Sequence, residues 1–547
     1  MWFSGRDTLF QSTSNFKPST FKTNIMSNAN ETKELAAIAL RAGPDDAPSS
    51  TDPKLDMITN AHDIGAVMYA EAQNLESDDL EGERRRVKQK LDRILMPMLM
   101  NSFVFQFLDK LSLNHAAAYT LIPDLNLKGQ QYSTVASGFA YGGIVWYIPA
   151  SMLLQRLPVA KYTGIMIGIW GMLLMCCAAA KNFGGMFALR FILGMAESNM
   201  TPAYMIICSM FFTRQELPLH LLLFISMNGL ATAGESLVDF GLGHVHSSTM
   251  ITSWQLIFLV IGGANFLWSM LFLYMVPDSP LNARWLTERE KLVAVDRVSQ
   301  NMIGIKDKSF KWNQIQEVFQ DPKVLILCIC GFCNGVGSGG LGYFGSALIK
   351  GYGFSYINAT LLQLPTGMIE FIVLPIAGWI ASRYVNVRCY VAIGTLCIPL
   401  GGFLGIRLTP LEYQWRLVGS TWVLYIFAVG AAISYSLLAA NFAGHTKRAF
   451  VNGLWFVVWS CGNVAGANFF NTDEAPRYFT GITALLAFTC GTMLMFLVFA
   501  LYCKWENNRR DRLYGVRNVD GEADDEGIRV GFMDKTDIEN KHFRFAY

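Results

Sequence analysis

Several ionisable side chains stand inside stretches that are otherwise apolar, among them Asp109, Lys110, Arg190, Glu197 and Glu370. A charge near the centre of a bilayer costs at least about 2.5–3.5 kcal/mol on insertion scales. Each of these side chains is therefore expected to have an ion-pair partner, contact with water or a functional role. A carboxylate in such a place can pair with a cation or exchange protons, and a guanidinium can hold a carboxylate through two parallel hydrogen bonds. These residue types therefore predict ion pairing, anion binding and proton transfer.

The depth of each charge along its helix predicts which of them meet. If the first apolar stretch enters the bilayer near Leu95, Asp109 lies about 21 Å above that face. The stretch that carries Arg190 enters from the opposite face near Gly184, which places Arg190 at about the same level as Asp109 in a core about 30 Å thick. We expect an Asp109–Arg190 ion pair, either as a structural pair that fixes helix packing or as part of a wet cavity. Glu197 lies about 10 Å from the inner face of the core, with no cation at its level. Because burial without a cation favours the protonated form, we expect Glu197 to exchange protons.

About twelve apolar stretches carry these residues, each near the roughly 20 residues that a spanning helix needs, and they form two groups of six around a charged loop. The predicted spans are 95–121, 131–154, 161–180, 184–212, 219–243, 254–276, 324–350, 357–382, 389–407, 415–440, 449–471 and 479–503. The 547-residue chain is 52% hydrophobic and 16% charged, which excludes an ordinary soluble enzyme. The pattern predicts an all-α polytopic membrane protein with twelve transmembrane helices in two six-helix pseudo-symmetric bundles.

The loops between the spans alternate between basic and cation-poor, and this alternation orients the chain. The positive-inside rule places both termini and the central loop in the cytoplasm. The predicted regions are a disordered N-terminal tail over 1–90, helical bundles over 91–277 and 324–503, a central loop over 278–323, and a C-terminal tail over 504–547.

The central loop has local structure of its own. Thr287 followed by Glu290 matches a capping box, and apolar residues then recur at helical spacing. We expect an amphipathic helix over 288–300 against the cytoplasmic face and a second short helix over 312–319.

Several other classes of site are excluded. The net charge of +2 gives no reason to expect nucleic acid as a partner. The cysteines fall mostly within apolar spans, so no disulfide framework is expected. Cys328, Cys330 and Cys333 share one span and are interpreted as packing residues, so we expect no metal and no cofactor. The first residues show no signal-peptide pattern, and Met26 is an alternative start.

Several ordered motifs resemble those of one family. They are Phe107-Leu108-Asp109-Lys110 with Asn114; Arg190-Phe191-Ile192-Leu193-Gly194 with Glu197 and Pro202; Pro277-Asp278-Ser279-Pro280 with Trp285-Leu286-Thr287 and Glu290; Phe310-Lys311-Trp312-Asn313-Gln314 with Asp321-Pro322-Lys323; Asn441, Gly444 and Thr446-Lys447-Arg448; and Gly462-Asn463 with Gly466, Pro476 and Tyr478. From about Leu91 to Leu513 the chain resembles the allantoate permease family, the anion:cation symporters of the major facilitator superfamily.

The resemblance implies proton-coupled uptake of a small organic anion, such as allantoate, nicotinate or pantothenate, by alternating access. It implies a multi-pass protein of a fungal plasma membrane, whose partners are the anion, protons and the lipid bilayer. The implied roles are substrate binding by Arg190, Asn114, Lys110 and Asn441, and proton coupling by Asp109 and Glu197. Arg190 is the first candidate for a substrate carboxylate, because its guanidinium offers a planar bidentate fork.

The chain also departs from the family pattern. His220 stands near the place of an arginine that usually follows Pro218, so the adjacent loop is expected to gate differently. The turn at Ser382-Arg383 lacks the usual acid, and Glu235 is unusual. These departures leave the identity of the substrate open.

Three alternatives remain beside uptake. An exporter of a secondary metabolite in the same superfamily has the same sequence pattern, because direction of transport is not encoded in it. A nutrient sensor that binds without transport is compatible with the long N-terminal tail. A membrane-embedded enzyme would need clustered His, Cys or carboxylate ligands at the membrane surface, and the sequence shows none.

Overall fold

The structure is a computed structural model. It describes residues 79–547 except 119–120, 129–130, 243–251, 300, 302–309, 355, 471–473, 475–476 and 516–533. The predicted disordered tail lies outside the described residues up to position 78, so that part of the prediction stays open.

Within this described part the regular elements are helices. In chain order they are α1 (Leu80–Ala118), α2 (Leu121–Asp124), α3 (Gln131–Arg156), α4 (Val159–Cys177), α5 (Phe183–Glu197), α6 (Met200–Phe211), α7 (Leu217–Leu242), α8 (Ser253–Met275), α9 (Glu288–Ser299), α10 (Trp312–Gln320), α11 (Pro322–Gly351), α12 (Tyr356–Leu361), α13 (Leu364–Arg383), α14 (Arg388–Leu408), α15 (Gln414–Trp422), α16 (Ala428–Asn441), α17 (His445–Asn468) and α18 (Phe479–Tyr514), with 3₁₀ turns at Pro280–Asn282 and Leu424–Phe427.

These helices build two sets of six membrane crossings. The first half contains α1, α3, α4, the pair α5–α6, α7 and α8; the second contains α11, the pair α12–α13, α14, the pair α15–α16, α17 and α18. Among the described residues, eight helical stretches are long and apolar enough to cross a membrane by length and composition alone. The predicted all-α fold is confirmed, and several spans are interrupted rather than continuous.

The fourth crossing shows why a predicted span divides. α5 ends at Glu197 and α6 begins at Met200. Pro202 has no N–H to donate to the carbonyl four residues earlier, at Ser198, so the helical ladder cannot run through this point. The Asn199 side chain instead donates to the Ala196 carbonyl at 2.6 Å.

The two halves meet along two equivalent pairs of helices. α3, the second crossing of the first half, packs on α17, the fifth crossing of the second half; α7 and α13 form the corresponding pair. Gly229 of α7 faces Gly367 of α13 so closely that a Cβ on Gly367 would lie 2.4 Å from the Gly229 carbonyl oxygen. Small residues let the two backbones approach in this way. The repeated pairing is the pseudo-symmetry that the sequence predicted.

One membrane face, called here the basic face, carries the start of α1, the described residues between positions 278 and 323, and the end of α18. The predicted capping box is present, since the Thr287 N–H donates to Glu290 at 2.8 Å and the Glu290 N–H donates to the Thr287 hydroxyl at 3.3 Å. α9 and α10 match the two short helices predicted in this segment.

Two predicted boundaries are wrong at the basic face. Residues 80–90 are not part of a disordered tail but form the first turns of α1, where Arg84 and Lys90 pair with Asp296 and Glu290 of α9 at 2.7 and 2.8 Å. Residues 504–514 extend α18 beyond its predicted end. Both stretches are charged, so a search for apolar residues stops before the helix does.

Candidate functional site

A cavity of about 230 Å³ lies between the two halves. Side chains of α1, α3, α5 and α7 line it from the first half, and side chains of α11, α13, α16 and α17 line it from the second. Among the described lining residues the charged ones are Lys110, Arg190 and Glu370. The cavity therefore has two cations on the wall of the first half and one carboxylate on the wall of the second.

Arg190 reaches this wall from α5 and is held from behind by Asp109 of α1. Its Nη1 lies 3.4 Å from Asp109 Oδ1, while the indole N–H of Trp170 in α4 donates to Asp109 Oδ2 at 2.8 Å. Nη2 is 3.4 Å from the hydroxyl of Ser112. Asp109 is fully buried and does not line the cavity. The structure thus contains the ion pair that helix depth predicted.

Lys110 is held in a similar way by Glu197. Its Nζ lies 3.0 Å from Glu197 Oε1, which also accepts a hydrogen bond from the Gln106 amide at 2.8 Å. Glu197 is buried behind the wall, whereas Lys110 and Gln106 line the cavity. The expectation that Glu197 has no cation at its level is therefore wrong.

Side-chain direction explains this error. The Cα–Cβ bonds of a helix tilt toward its N-terminus. α1 and α5 run in opposite directions through the membrane, so Lys110 and Glu197 lean toward each other. Depths counted from the backbone placed them about 12 Å apart, a gap that two leaning side chains and the long lysine stem can close.

Both cation–carboxylate pairs keep unused hydrogen-bonding capacity. In the described part of the chain, Arg190 Nε and Glu197 Oε2 are buried without a hydrogen-bond partner. The Arg190–Asp109 contact is also longer than the roughly 2.7–2.9 Å of a close charge-assisted hydrogen bond. An anion that enters the cavity can therefore bind Arg190 and Lys110 without first displacing a saturated set of partners.

Another part of the cavity wall is mainly aromatic and is shared by the two halves. Tyr147 of α3 stacks on Phe456 of α17, with ring centroids 5.3 Å apart, and Tyr435 packs beside Phe456 at 5.4 Å. The indole N–H of Trp459 is buried without a partner among the residues described. An apolar wall with a few polar groups is usual for a site that takes a small organic molecule.

The remaining predicted site residues do not join this wall in the structure. Asn114 belongs to α1, but its side chain lies outside the described residues. Asn441 lies at the end of α16 on the basic face, where its side chain exchanges two hydrogen bonds with Ala546, at 2.7 and 2.9 Å, and accepts one from Arg214 at 3.2 Å. The prediction that Asn441 contacts the substrate is therefore wrong in this structure, because Asn441 lies away from the cavity. A family motif identifies a residue by its place in the chain and does not show which residues it contacts after folding.

Two contributors were missed from the sequence. Gln106 lies four residues before Lys110, one helical turn away on the same face, and this spacing could have identified it. Trp170 gave no such signal, because a tryptophan in an apolar stretch is ordinary for a membrane helix.

The family model of the Major Facilitator Superfamily matches residues 99–467, which includes the cavity and both ion pairs. The chain belongs to the major facilitator superfamily. It is 33% identical to an uncharacterized transporter of Schizosaccharomyces pombe over 87% of this chain and 91% of that protein. It is 29% identical to the thiamine pathway transporter THI73 of Saccharomyces cerevisiae (90% and 92% covered) and 28% identical to the allantoate permease of the same yeast (91% and 92%).

Solved structures agree on the fold. The proton:xylose symporter XylE superposes with a TM-score of 0.55 at 15% identity, covering 75% of this chain and 94% of that one. FucP in its outward conformation superposes with the same TM-score and identity, and the superposition covers 75% of this chain and 98% of FucP. This member of the superfamily is thus a multi-pass membrane transporter and not an enzyme.

Proposed function

We propose that this transporter is a symporter that moves a small organic anion together with protons. The observation that carries the proposal is the arrangement of Lys110 and Arg190, which line the cavity while their carboxylate partners lie behind the wall. A carboxylate in the cavity can accept hydrogen bonds from both cations. The similarity to the allantoate permease supports an organic anion as substrate, without identifying which one.

The same arrangement provides a route to proton coupling. When a substrate carboxylate binds Arg190 or Lys110, it competes with Asp109 or Glu197 for the same cation. A buried carboxylate that loses its cation is stabilised by taking up a proton. Anion binding and proton binding then favour each other, which is the requirement for symport.

Alternating access requires the halves to separate at one face at a time. In the structure they are joined at the basic face, where the Gln155 amide donates to Thr446 at 3.0 Å and the Leu219 N–H donates to Ser382 at 2.9 Å. Arg448 of α17 also contacts Ser209 of α6. We propose that the basic face is cytoplasmic, with both chain termini on that side, and that the protein works in the plasma membrane.

Flux measurements on purified protein in liposomes test the proposal. Labelled allantoate, nicotinate and pantothenate are supplied outside, with an inward proton gradient and with or without a protonophore. We expect accumulation of at least one anion that collapses with the protonophore, while liposomes holding Arg190→Ala stay at background. Uptake that is the same with and without the proton gradient would contradict proton coupling. Net efflux from loaded liposomes under the same gradient would indicate an exporter, and binding without flux would indicate a sensor.

A further inference from the structure

Glu370 is the charged wall residue that the proposed function leaves unused. It belongs to α13, is only 4% exposed and lines the cavity opposite the half that supplies Lys110 and Arg190. Within the described residues it forms no ion pair and no hydrogen bond. One turn earlier, Gly367 fixes α13 against α7 at the junction of the halves, so the carboxylate is carried by a closely packed helix.

We propose, building on anion transport, that Glu370 binds a hydrogen-bond donor at the far end of the substrate. A buried polar group without a partner is costly, and a donor that satisfies it recovers that cost. The cavity then selects anions that also carry an amine, amide or ureido group over plain hydrocarbon carboxylates. The difference in affinity should be about 5- to 100-fold, the range for supplying a hydrogen-bond partner to a buried polar group that otherwise lacks one.

Ligand titrations followed by thermal shift in detergent test this selectivity. The probes are pentanoate, 5-aminopentanoate and 5-ureidopentanoate, and the variants are Glu370→Leu, which removes the acceptor at similar volume, and, as a control on the same helix, Ile372→Ala, which is 52% exposed. We expect the parent and Ile372→Ala to prefer a donor-bearing probe, and Glu370→Leu to bind all three within about threefold. Equal binding of all three probes by the parent overturns the role of Glu370 but leaves anion binding intact, whereas no binding of any probe counts against both.

A second inference comes from the segment 534–547, which folds onto the basic face. Asp537 is fully buried; its carboxylate contacts Lys323 of α11 and lies 3.0 Å from Lys447 Nζ of α17. Asp534 accepts from the His445 N–H at 2.7 Å and pairs with Lys311 at 2.8 Å. Buried charges with close partners on α11, on α17 and at Lys311, which precedes α10, place this segment in a defined site.

The end of the same segment inserts two aromatic rings. Phe543 and Phe545 are 0% and 3% exposed. Lys323 Nζ lies 3.8 Å and the Arg510 guanidinium 4.6 Å from the centre of the Phe545 ring. Arg510 of α18 also donates to the carbonyls of Phe543 and Asn540, at 3.0 and 3.2 Å. The segment is thus packed as part of the second half.

Its contact with the first half is made through Arg214, in the turn between α6 and α7. The guanidinium lies 4.5 Å from the centre of the Phe543 ring and donates to Asn441, whose amide in turn binds Ala546. The Arg214 carbonyl accepts from Arg388 of α14. Residues 534–547 therefore lie where the two halves must part for the basic face to open.

We infer that the segment 534–547, called here the latch segment, is a removable latch that holds the basic face closed. Opening toward this face requires Arg214 to leave Phe543 and Asn441, because they belong to different halves. Release of the latch segment removes Phe543 and Ala546 from this junction and shifts the population toward the state open at the basic face.

A native thiol reports on this opening without any substrate. Cys503 of α18 is 0% exposed, and one turn further along the same helix the Asn507 side chain exchanges two hydrogen bonds with the Phe545 backbone, both at 2.8 Å. Cys208 of α6, also 0% exposed, serves as the internal control for unfolding. Labelling of both by a charged, membrane-impermeant thiol reagent is followed by mass spectrometry on the purified protein.

The variants are a chain stopped after residue 533, Phe545→Ala, and the matched control Ile538→Ala, whose side chain is 46% exposed within the latch segment. We expect Cys503 to react at least about tenfold faster in the first two variants and at the parental rate in the third, with Cys208 unreactive throughout. An unchanged Cys503 rate in the stopped chain overturns the latch. So does a parallel rise at Cys208, because the segment is then needed for folding and not for closure.

Discussion

Asp109 is held more closely by Trp170 than by Arg190, with an indole nitrogen to carboxylate distance of 2.8 Å against 3.4 Å from Arg190 Nη1. The indole N–H can therefore keep the carboxylate in place if the guanidinium turns toward a ligand. We expect Arg190, and not Asp109, to be the member of the pair that moves on binding. The first three predictions below concern this pair and the corresponding pair Lys110–Glu197.

Removing the Arg190 guanidinium should abolish uptake of the transported anion. Two hydrogen bonds to a charged group are worth about 1.5–3 kcal/mol each, so Arg190→Ala should lower uptake at least about 100-fold. Arg190→Lys keeps the charge but loses the fork, and should raise the apparent KM while retaining some flux. Flux in liposomes checks both variants beside Arg407→Ala, an arginine outside the cavity that stacks on Phe479. Normal uptake by Arg190→Ala would exclude Arg190 as the substrate anchor.

Glu197→Gln should uncouple anion movement from the proton gradient. The amide keeps the shape of the side chain and can still contact Gln106, but it can neither gain nor lose a proton. We expect anion exchange across the membrane to continue while gradient-driven accumulation is lost. Counterflow and accumulation are measured on the same liposomes, and full accumulation in the variant would contradict a coupling role for Glu197.

Trp170→Phe should destabilise the protein by about 1–3 kcal/mol, because it leaves a buried carboxylate oxygen without its donor. Trp415→Phe is the control, since that ring is 65% exposed. Thermal unfolding in detergent gives the comparison. Equal Tm values for the two variants would mean that the indole N–H contributes nothing to holding Asp109.

Gly367→Ala should disturb the junction between the halves. A Cβ there would lie 2.4 Å from the Gly229 carbonyl oxygen, so α7 and α13 must move apart, at a cost of about 1–3 kcal/mol for overpacking. Gly394→Ala on α14 meets nothing within 4 Å and controls for the helix-forming effect of alanine. We expect a lower Tm and slower flux only for Gly367→Ala; an unchanged Tm would show that the close approach is not required.

Acid should weaken the contact between the turn after α6 and the segment that carries α9. Burial alone would raise the pKa of Glu216, but Arg297 at 2.9 Å and Lys88 at 3.0 Å together hold it below its usual value of 4.5. A group with a lowered pKa contributes stability above its unfolded pKa and loses it as pH falls through the folded pKa. Tm should therefore differ most between the parent and Glu216→Gln near pH 7, and the difference should shrink steadily as the pH falls below 4.5. A constant difference across that range would contradict this assignment.

The sequence was most informative where structure is local. Apolar length located the crossings, because lipid leaves the backbone no partner except its own helix. The capping box at Thr287 and Glu290 predicted the start of α9 for a similar reason, since all its hydrogen bonds lie within four residues. Depth counting also paired Asp109 with Arg190, two residues at similar heights on neighbouring helices.

The tertiary structure decided what each charge faces. Lys110 reaches Glu197 because side chains of antiparallel helices lean together, and Asn441 contacts Ala546 although 105 positions separate them. The latch segment lies within a charged tail whose scattered apolar residues show no regular spacing that would have predicted the burial of Phe543 and Phe545. The order of apolar and charged residues along the chain thus determined that it crosses a membrane repeatedly and which charges enter it. Which of them meet water, substrate or each other depended on the packing of helices distant in sequence, because side-chain direction and long-range contact are properties of the assembled bundle.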